Sequence, residues 1–289
     1  MSDLDPAFYQ RRLLHAFRTL RNNANLTQEQ VAVRLGWSVS KVLRVENGKN
    51  NITRADLAAL LEVYGVTSRD AVRDLLDLAR QASRPSMPEF RDIVSAEFRV
   101  YTGLESSASV IREYEPALIP GLLQTMEYAD AVITALSADG IDRDVIARRL
   151  DIRRQRQRLL TPDGPSMHFL FDEAAVRRQV GGRAVMQAQL RRLKELAALP
   201  NVTMQIVPFS AGEHAGMSGP FILLEFPDDE PLLYLEDARQ DLLAREDAEL
   251  TRSYQRRFAQ IAELATPASR FDRIVDDFLL GSDLVGARM

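Results

Sequence analysis

The 289-residue sequence contains no cysteine. That absence removes disulfides, thiolate nucleophiles, iron–sulfur clusters and Cys-ligated zinc together. Histidine is scarce as well: His15, His168 and His214 are the only three, and their wide spacing speaks against a His-based metal site. Nowhere do 18 apolar residues run together, and the opening MSDLDPAFYQRR lacks the apolar stretch of a secretory signal. These absences predict a soluble, cytoplasmic protein with no membrane segment, no metal and no cofactor. What remains is ordinary globular material, 46% apolar and 27% charged, with length for two domains.

The net charge of −4 speaks, as an average, against nucleic acid. The distribution says otherwise. Residues 1–82 carry 12 basic and 9 acidic side chains, a net of +3, and the rest of the chain is net −7. Within residues 18–54, Arg18, Arg21, Arg34, Lys41, Arg44, Lys49 and Arg54 face only Glu29 and Glu46, a local +5. Such a split between a basic head and an acidic body is a hint of nucleic-acid contact.

The head reads as five helices. Phe8, Leu13, Leu14, Phe17 and Leu20 recur near helical period behind Pro6, and Asn22, Asn23 and Asn25 end that segment. Thr27 and Gln30 have capping-box spacing before Val31, Ala32 and Leu35. Gly36 suits a left-handed break, and Ser38 can cap a third helix with apolar Val39, Val42, Leu43 and Val45, stopped by Asn47-Gly48. Thr53 starts a fourth helix with Leu57, Leu60, Leu61 and Tyr64 inward, and a fifth spans about residues 68–82. Two short helices joined by a tight turn can present the second to a major groove about 12 Å wide. The pattern alone equally allows a helical bundle with a polar outer face. Trp37, in the interhelix turn, reads as a packing residue.

The segment LTQEQVAVRLGWSVSKVLRVENGKN resembles the phage-repressor (Xre/Cro) helix-turn-helix family: a Thr-Gln-Glu start, a small-Gly turn, a Ser-x-Ser cap region and a Glu-x-Gly ending. The likeness covers about residues 10–66. It implies that Gln28 touches a phosphate, that Val39, Ser40 and Arg44 face base edges, and that Asn47 and Lys49 bond phosphates beyond the helix. Ser38 at the cap and Lys41, read as a phosphate ligand, complete the expected DNA-binding set. Arg21 and Glu46 match a structural ion pair of the family. The first base-facing position often carries a polar side chain there, but Val39 can only pack on a thymine methyl. Arg44 is then the main donor, bidentate to a guanine, contributing on the order of 1–3 kcal/mol of discrimination.

SRPSMPEF, residues 83–90, reads as a linker between a helix-turn-helix domain at 1–82 and an α+β domain at 91–289. Beyond it, residues 91–115 look helical, Pro120 opens a helix through Ile133, and residues 142–160 form another. Four strands are expected: Met167–Phe171, Val202–Val207, Phe221–Phe226 and Leu232–Leu235. Helices Glu173–Val180 and Arg183–Leu199 lie between the first two, and two long ones, about 245–265 and 268–280, close the chain.

Chemistry is thin in this domain. Arg148, Arg149, Arg153, Arg154, Arg156 and Arg158 make a basic helix best read as a solvated face or subunit contact. Glu213-His214 sits in a Gly-rich loop without a nucleophile at any recognisable spacing, and Asp172 reads as a helix cap. No enzyme is expected. The stretches YEPALIPGLLQTMEYADAVI, RLDIRRQRQRLL and FDEAAVRRQVGGRAVMQAQLRRLKELAALPNVTMQIVPF resemble the companion domain of actinobacterial WhiJ-like Xre regulators. That resemblance implies a regulator encoded beside a small partner protein, in an antitoxin-like arrangement. The expectation is therefore a dimeric, sequence-specific regulator of double-stranded DNA whose large domain binds the adjacent gene's product. The alternative is a transcription factor that senses a small molecule in that domain.

Overall fold

The computed structural model describes residues 5–48, 52–84, 86–137, 141–227, 229–236, 242–244 and 247–286. The chain divides into two compact units: residues 1–89 with 99–107, and residues 90–98 with 108–289.

The first unit holds five helices in sequence: α1 (Pro6–Asn23), α2 (Gln28–Leu35), α3 (Val39–Glu46), α4 (Arg54–Val63) and α5 (Arg69–Ala82). Each begins on a side-chain cap. Asp5, Thr27, Ser38, Thr53 and Ser68 accept backbone N–H groups that the first helical turn leaves without partners. Leu13, Phe17, Val31, Val42, Val45, Leu57, Leu60 and Leu61 close around one another as a core, and Trp37 packs half-buried against it. Each fully buried Leu or Phe of this kind is worth roughly 1.5–3 kcal/mol in transfer from water.

The remaining elements are α6 (Ala96–Glu105), β1 (Val110–Glu115), α7 (Met126–Leu136), α8 (Arg143–Arg156), β2 (Ser166–Asp172), α9 (Glu173–Arg177), α10 (Arg183–Ala197), β3 (Val202–Val207), β4 (Phe221–Phe226), β5 (Asp229–Leu235), β6 (Leu242–Ala244), α11 (Ala248–Leu264) and α12 (Phe271–Gly286). Six strands form one mixed sheet in the order β3-β2-β1-β4-β5-β6. β1, β2 and β3 run parallel, with helical crossovers α7–α8 and α9–α10 between them. β4, β5 and β6 continue antiparallel. Both faces of the sheet are covered. Phe258 and Ile261 of α11 pack against Tyr114, Leu170, Phe221, Leu223 and Leu233. The next side chain along β2, Phe171, points to the opposite face and meets Phe271 of α12 edge-on. Cover on both faces explains the unbroken apolar run Phe221–Leu224.

The five-helix head followed by an α+β domain is the architecture that the sequence predicts. Three local expectations give way. Residues 91–115 are not one helix: α6 ends at Glu105 and residues 110–115 form β1. β1 lies at the middle of the sheet, paired to β2 on one side and β4 on the other, and those long-range pairings override an accidental helical spacing. The segment from Pro120 is a single 3-10 turn, Gly121–Leu123, followed by a separate helix that Thr125 caps at Met126. The described residues hold six strands rather than four, the extra two being β1 and the three-residue β6 on the edge.

Candidate nucleic-acid interface

Glu46, at the last turn of α3, organises the head. Its side chain is 1% exposed, and three donors close on it: Arg21 Nε at 2.8 Å, Gln28 Nε2 at 2.7 Å and the Tyr64 hydroxyl at 2.9 Å. Arg21 also donates through a second guanidinium nitrogen to the Leu26 carbonyl at 3.0 Å. A buried carboxylate is tolerated when its lone pairs are filled in this way. Burial, reinforced by the Glu46 charge, pushes the Tyr64 phenol well above its usual range, so it stays protonated and donates. α1, α2, α3 and α4 with its C-cap Tyr64 are thereby tied to a single carboxylate.

The turn between α2 and α3 is set locally. Thr27 and Gln30 form a reciprocal capping box on α2, with Thr27 N–H donating to Gln30 Oε1 at 2.9 Å. Gly36 ends α2 at φ 65°, and Trp37 N–H reaches back to the Ala32 carbonyl at 2.9 Å. No atom lies within 4 Å of where a Gly36 side chain would begin, so the left-handed backbone, and not crowding, demands glycine. Ser38 Oγ accepts Lys41 N–H at 3.2 Å and starts α3 at Val39.

α3 turns Val42, Val45 and Glu46 inward. Its outward side carries Val39, Ser40, Leu43 and Arg44, all exposed. Leu43, one of the four apolar residues of this helix, is 39% exposed. The inward stripe steps from Val42 to Val45 and Glu46, and Leu43 stands 100° around the helix from Val42.

The residues expected to meet DNA fall into three groups. Val39, Ser40 and Arg44 share the exposed face of α3. Gln28, Ser38, Lys41 and Asn47 serve the fold in the free protein. Gln28 holds Glu46, Ser38 and Asn47 cap the two ends of α3, and Lys41 Nζ lies 3.0 Å from Asp56 Oδ1 and 3.8 Å from the Trp37 ring centre. Lys49 lies outside the described residues. With Arg21 and Lys41 internally paired, the exposed cations left without a partner among the described residues of 18–54 are Arg34, Arg44 and Arg54.

On the basic helix of the second unit the arginines are engaged differently. On α8, Arg148 grips Asp92 through two hydrogen bonds of 2.6 and 2.7 Å and holds that carboxyl below its usual range. Arg154 pairs with Asp151, Arg149 donates to the Ile93 carbonyl, and Arg156 lies over the Phe98 ring. In the Gly-rich loop, Glu213 is exposed while the His214 ring sits 3.6 Å from Asp172 and accepts Gly216 N–H at 3.1 Å. Asp172 meanwhile caps α9 through Ala174 N–H at 2.8 Å, so this grouping fastens a loop to a strand end. Among the described residues, no group of three or more His or carboxylate side chains is placed to hold a metal ion, and no helix is long and apolar enough to cross a membrane.

Comparison with known proteins divides the chain in the same sense. Residues 12–76 match a family described as a helix-turn-helix domain, which makes the head a DNA-binding module of regulator type. No curated protein and no solved structure matches the chain. Residues 98–271, well over half of the sequence, match a family described as a domain of unknown function, DUF5753, and the chain belongs to that family.

Proposed function

We propose that the protein is a homodimeric transcriptional regulator that reads a specific sequence of double-stranded DNA with the outward face of α3. One observation carries the reading: of the three charged side chains on α3, Lys41 and Glu46 are paired internally and only Arg44 is presented outward without a partner. An extended guanidinium on an exposed recognition helix matches the two acceptors of a guanine edge. Val39 beside it supplies an apolar contact to a thymine methyl, and Gln28, Ser38, Ser40, Lys41, Asn47 and Lys49 supply the surrounding polar contacts. The four of these that hold the free fold would meet phosphate through whatever donors remain, which makes them positioning residues first.

A gel-shift series on duplexes selected from a random library tests this. Arg44→Ala should abolish the preference for guanine at one position of each half-site. Lys49→Ala should weaken all sequences alike and flatten the salt dependence by about one unit. Unchanged site preference in Arg44→Ala overturns the assignment.

For the large domain we propose binding of a small protein encoded by the adjacent gene, in an antitoxin-like role. Support comes from the likeness to WhiJ-like Xre regulators and from the net −7 of residues 83–289, which favours a basic partner. Co-expression with the neighbouring gene should yield a complex that survives gel filtration at micromolar concentration; separate elution counts against it.

A further inference from the structure

We infer that Leu43, together with Val39, selects thymine-bearing operators by packing on their 5-methyl groups, so that Leu43 is a specificity-determining residue beside Arg44. The inference rests on the DNA-binding reading above and adds a residue and a chemical group to it.

The exposed face of α3 consists of two rows. Val39 and Leu43 stand four residues apart and form an apolar row; Ser40 and Arg44, also four apart, form a polar row next to it. Val39 and Leu43 are 37% and 39% exposed, and neither belongs to the buried core of the head, which Val42 and Val45 supply from this helix. Isolated exposed apolar side chains are ordinary on protein surfaces. Here two of them stack on one helix, alongside the unpartnered Arg44 and in a unit that also exposes Arg34 and Arg54 without partners. An apolar partner surface has no use for those cations. The major groove has use for both, since phosphates line its rims and thymine methyl groups are the apolar feature of its floor.

Spacing narrows the target. Four helical residues rise about 6 Å, while stacked base pairs rise about 3.4 Å. Val39 and Leu43 therefore reach methyl groups about two base-pair steps apart, while Arg44 in the adjacent row meets a guanine close by. A half-site built this way pairs one guanine with two thymines.

The test uses the full-length chain and its selected duplex, with each thymine replaced in turn by deoxyuridine, which removes only the methyl group. Two replacements should each weaken the wild-type protein about fourfold, the value of one buried carbon. Leu43→Ala should make one of the two replacements silent and leave the other; Val39→Ala should do the reverse. Leu43→Met, which keeps an apolar reach, should retain most of the sensitivity. Because neither side chain belongs to the buried core, Trp37 fluorescence should report a cooperatively folded head in every variant. Wild-type binding indifferent to all deoxyuridine replacements overturns the inference while leaving the DNA-binding reading intact. So does a Leu43→Ala protein that keeps both penalties. A chain that selects no duplex at all removes the DNA-binding reading, and the inference with it.

Discussion

α3 and α8 are both arginine-bearing helices, and they differ in what their charges face. α8 carries Arg143, Arg148, Arg149, Arg153, Arg154 and Arg156, a far denser basic run than α3 with Lys41 and Arg44. Yet Arg148, Arg149, Arg154 and Arg156 each find an internal partner: Asp92, the Ile93 carbonyl, Asp151 and the Phe98 ring. Around α3, Glu46 takes up Arg21 of α1, Asp56 of α4 takes up Lys41, and Arg44 is left outside. Charge density along a sequence is therefore a poor guide to an interface. The charge left over after intramolecular pairing is the better one, because a cation already bonded must give up that bond to meet a phosphate.

This contrast can be broken most sharply at its anchor. Glu46→Ala strands Arg21, whose side chain is only 17% exposed, and removes the acceptor for Gln28 and Tyr64. Losing one partner of such a pair costs about 3–5 kcal/mol. The protein's single tryptophan, Trp37, packs in this unit, so urea unfolding followed by its fluorescence reads the loss selectively. A shift below about 1 kcal/mol would show that Glu46 is not the organising group.

The next effect compares the two helices directly. Arg44→Ala should weaken binding to the selected duplex by about 1–3 kcal/mol, roughly fivefold to a hundredfold. Arg154→Ala, which breaks an exposed pair on α8, should leave DNA affinity unchanged and alter stability by less than about 1 kcal/mol. Equal losses in the two variants would mean that long-range charge, and not readout, governs binding.

Smaller still is the tie between α3 and α4. The Lys41–Asp56 pair is about one-third exposed on each side, and Lys41 also sits over Trp37. Asp56→Ala should cost about 0.2–1 kcal/mol, less at high salt, and should alter the Trp37 emission as Lys41 is released. Unaltered emission would place Lys41 free in solution.

In the second unit the expected change is a slope. Burial, and then the Arg112 charge, hold the His168 imidazole below its usual range, with Gln205 Oε1 2.7 Å from its Nε2 and the Phe258 ring against it. The unfolded chain takes up a proton near pH 6.5 that the folded domain resists. Stability should therefore be level above that pH and decline as pH falls below it. His168→Gln should flatten the decline between pH 7 and 5.5 in circular-dichroism melts; an unchanged slope would assign it to other groups.

Much of the head was legible because its signals are local. Thr27 with Gln30, Gly36, Ser38, Asn47-Gly48 and Thr53 each fix a helix end through bonds within a few residues, and each stands where the spacing places it. The Arg21–Glu46 pair also appears as the family likeness implies. The inner partners of Gln28 and Lys41 were not legible, since Glu46 and Asp56 lie 18 and 15 residues away and reach them only through the folded turn. β1 was hidden for the same reason, because its hydrogen bonds go to strands more than 50 residues further along the chain.

The sequence by itself determined the caps, the turn at Gly36, the split between a basic head and an acidic body, and the alternation of β2 and β3, because these depend on neighbours along the chain or on composition. Only the tertiary structure decided which cations are left over, that Leu43 faces outward, and that residues 110–115 are the centre of a sheet. Those outcomes depend on which distant groups meet, and in a low-dielectric interior the pairing of one buried carboxylate fixes what the surface has left to offer.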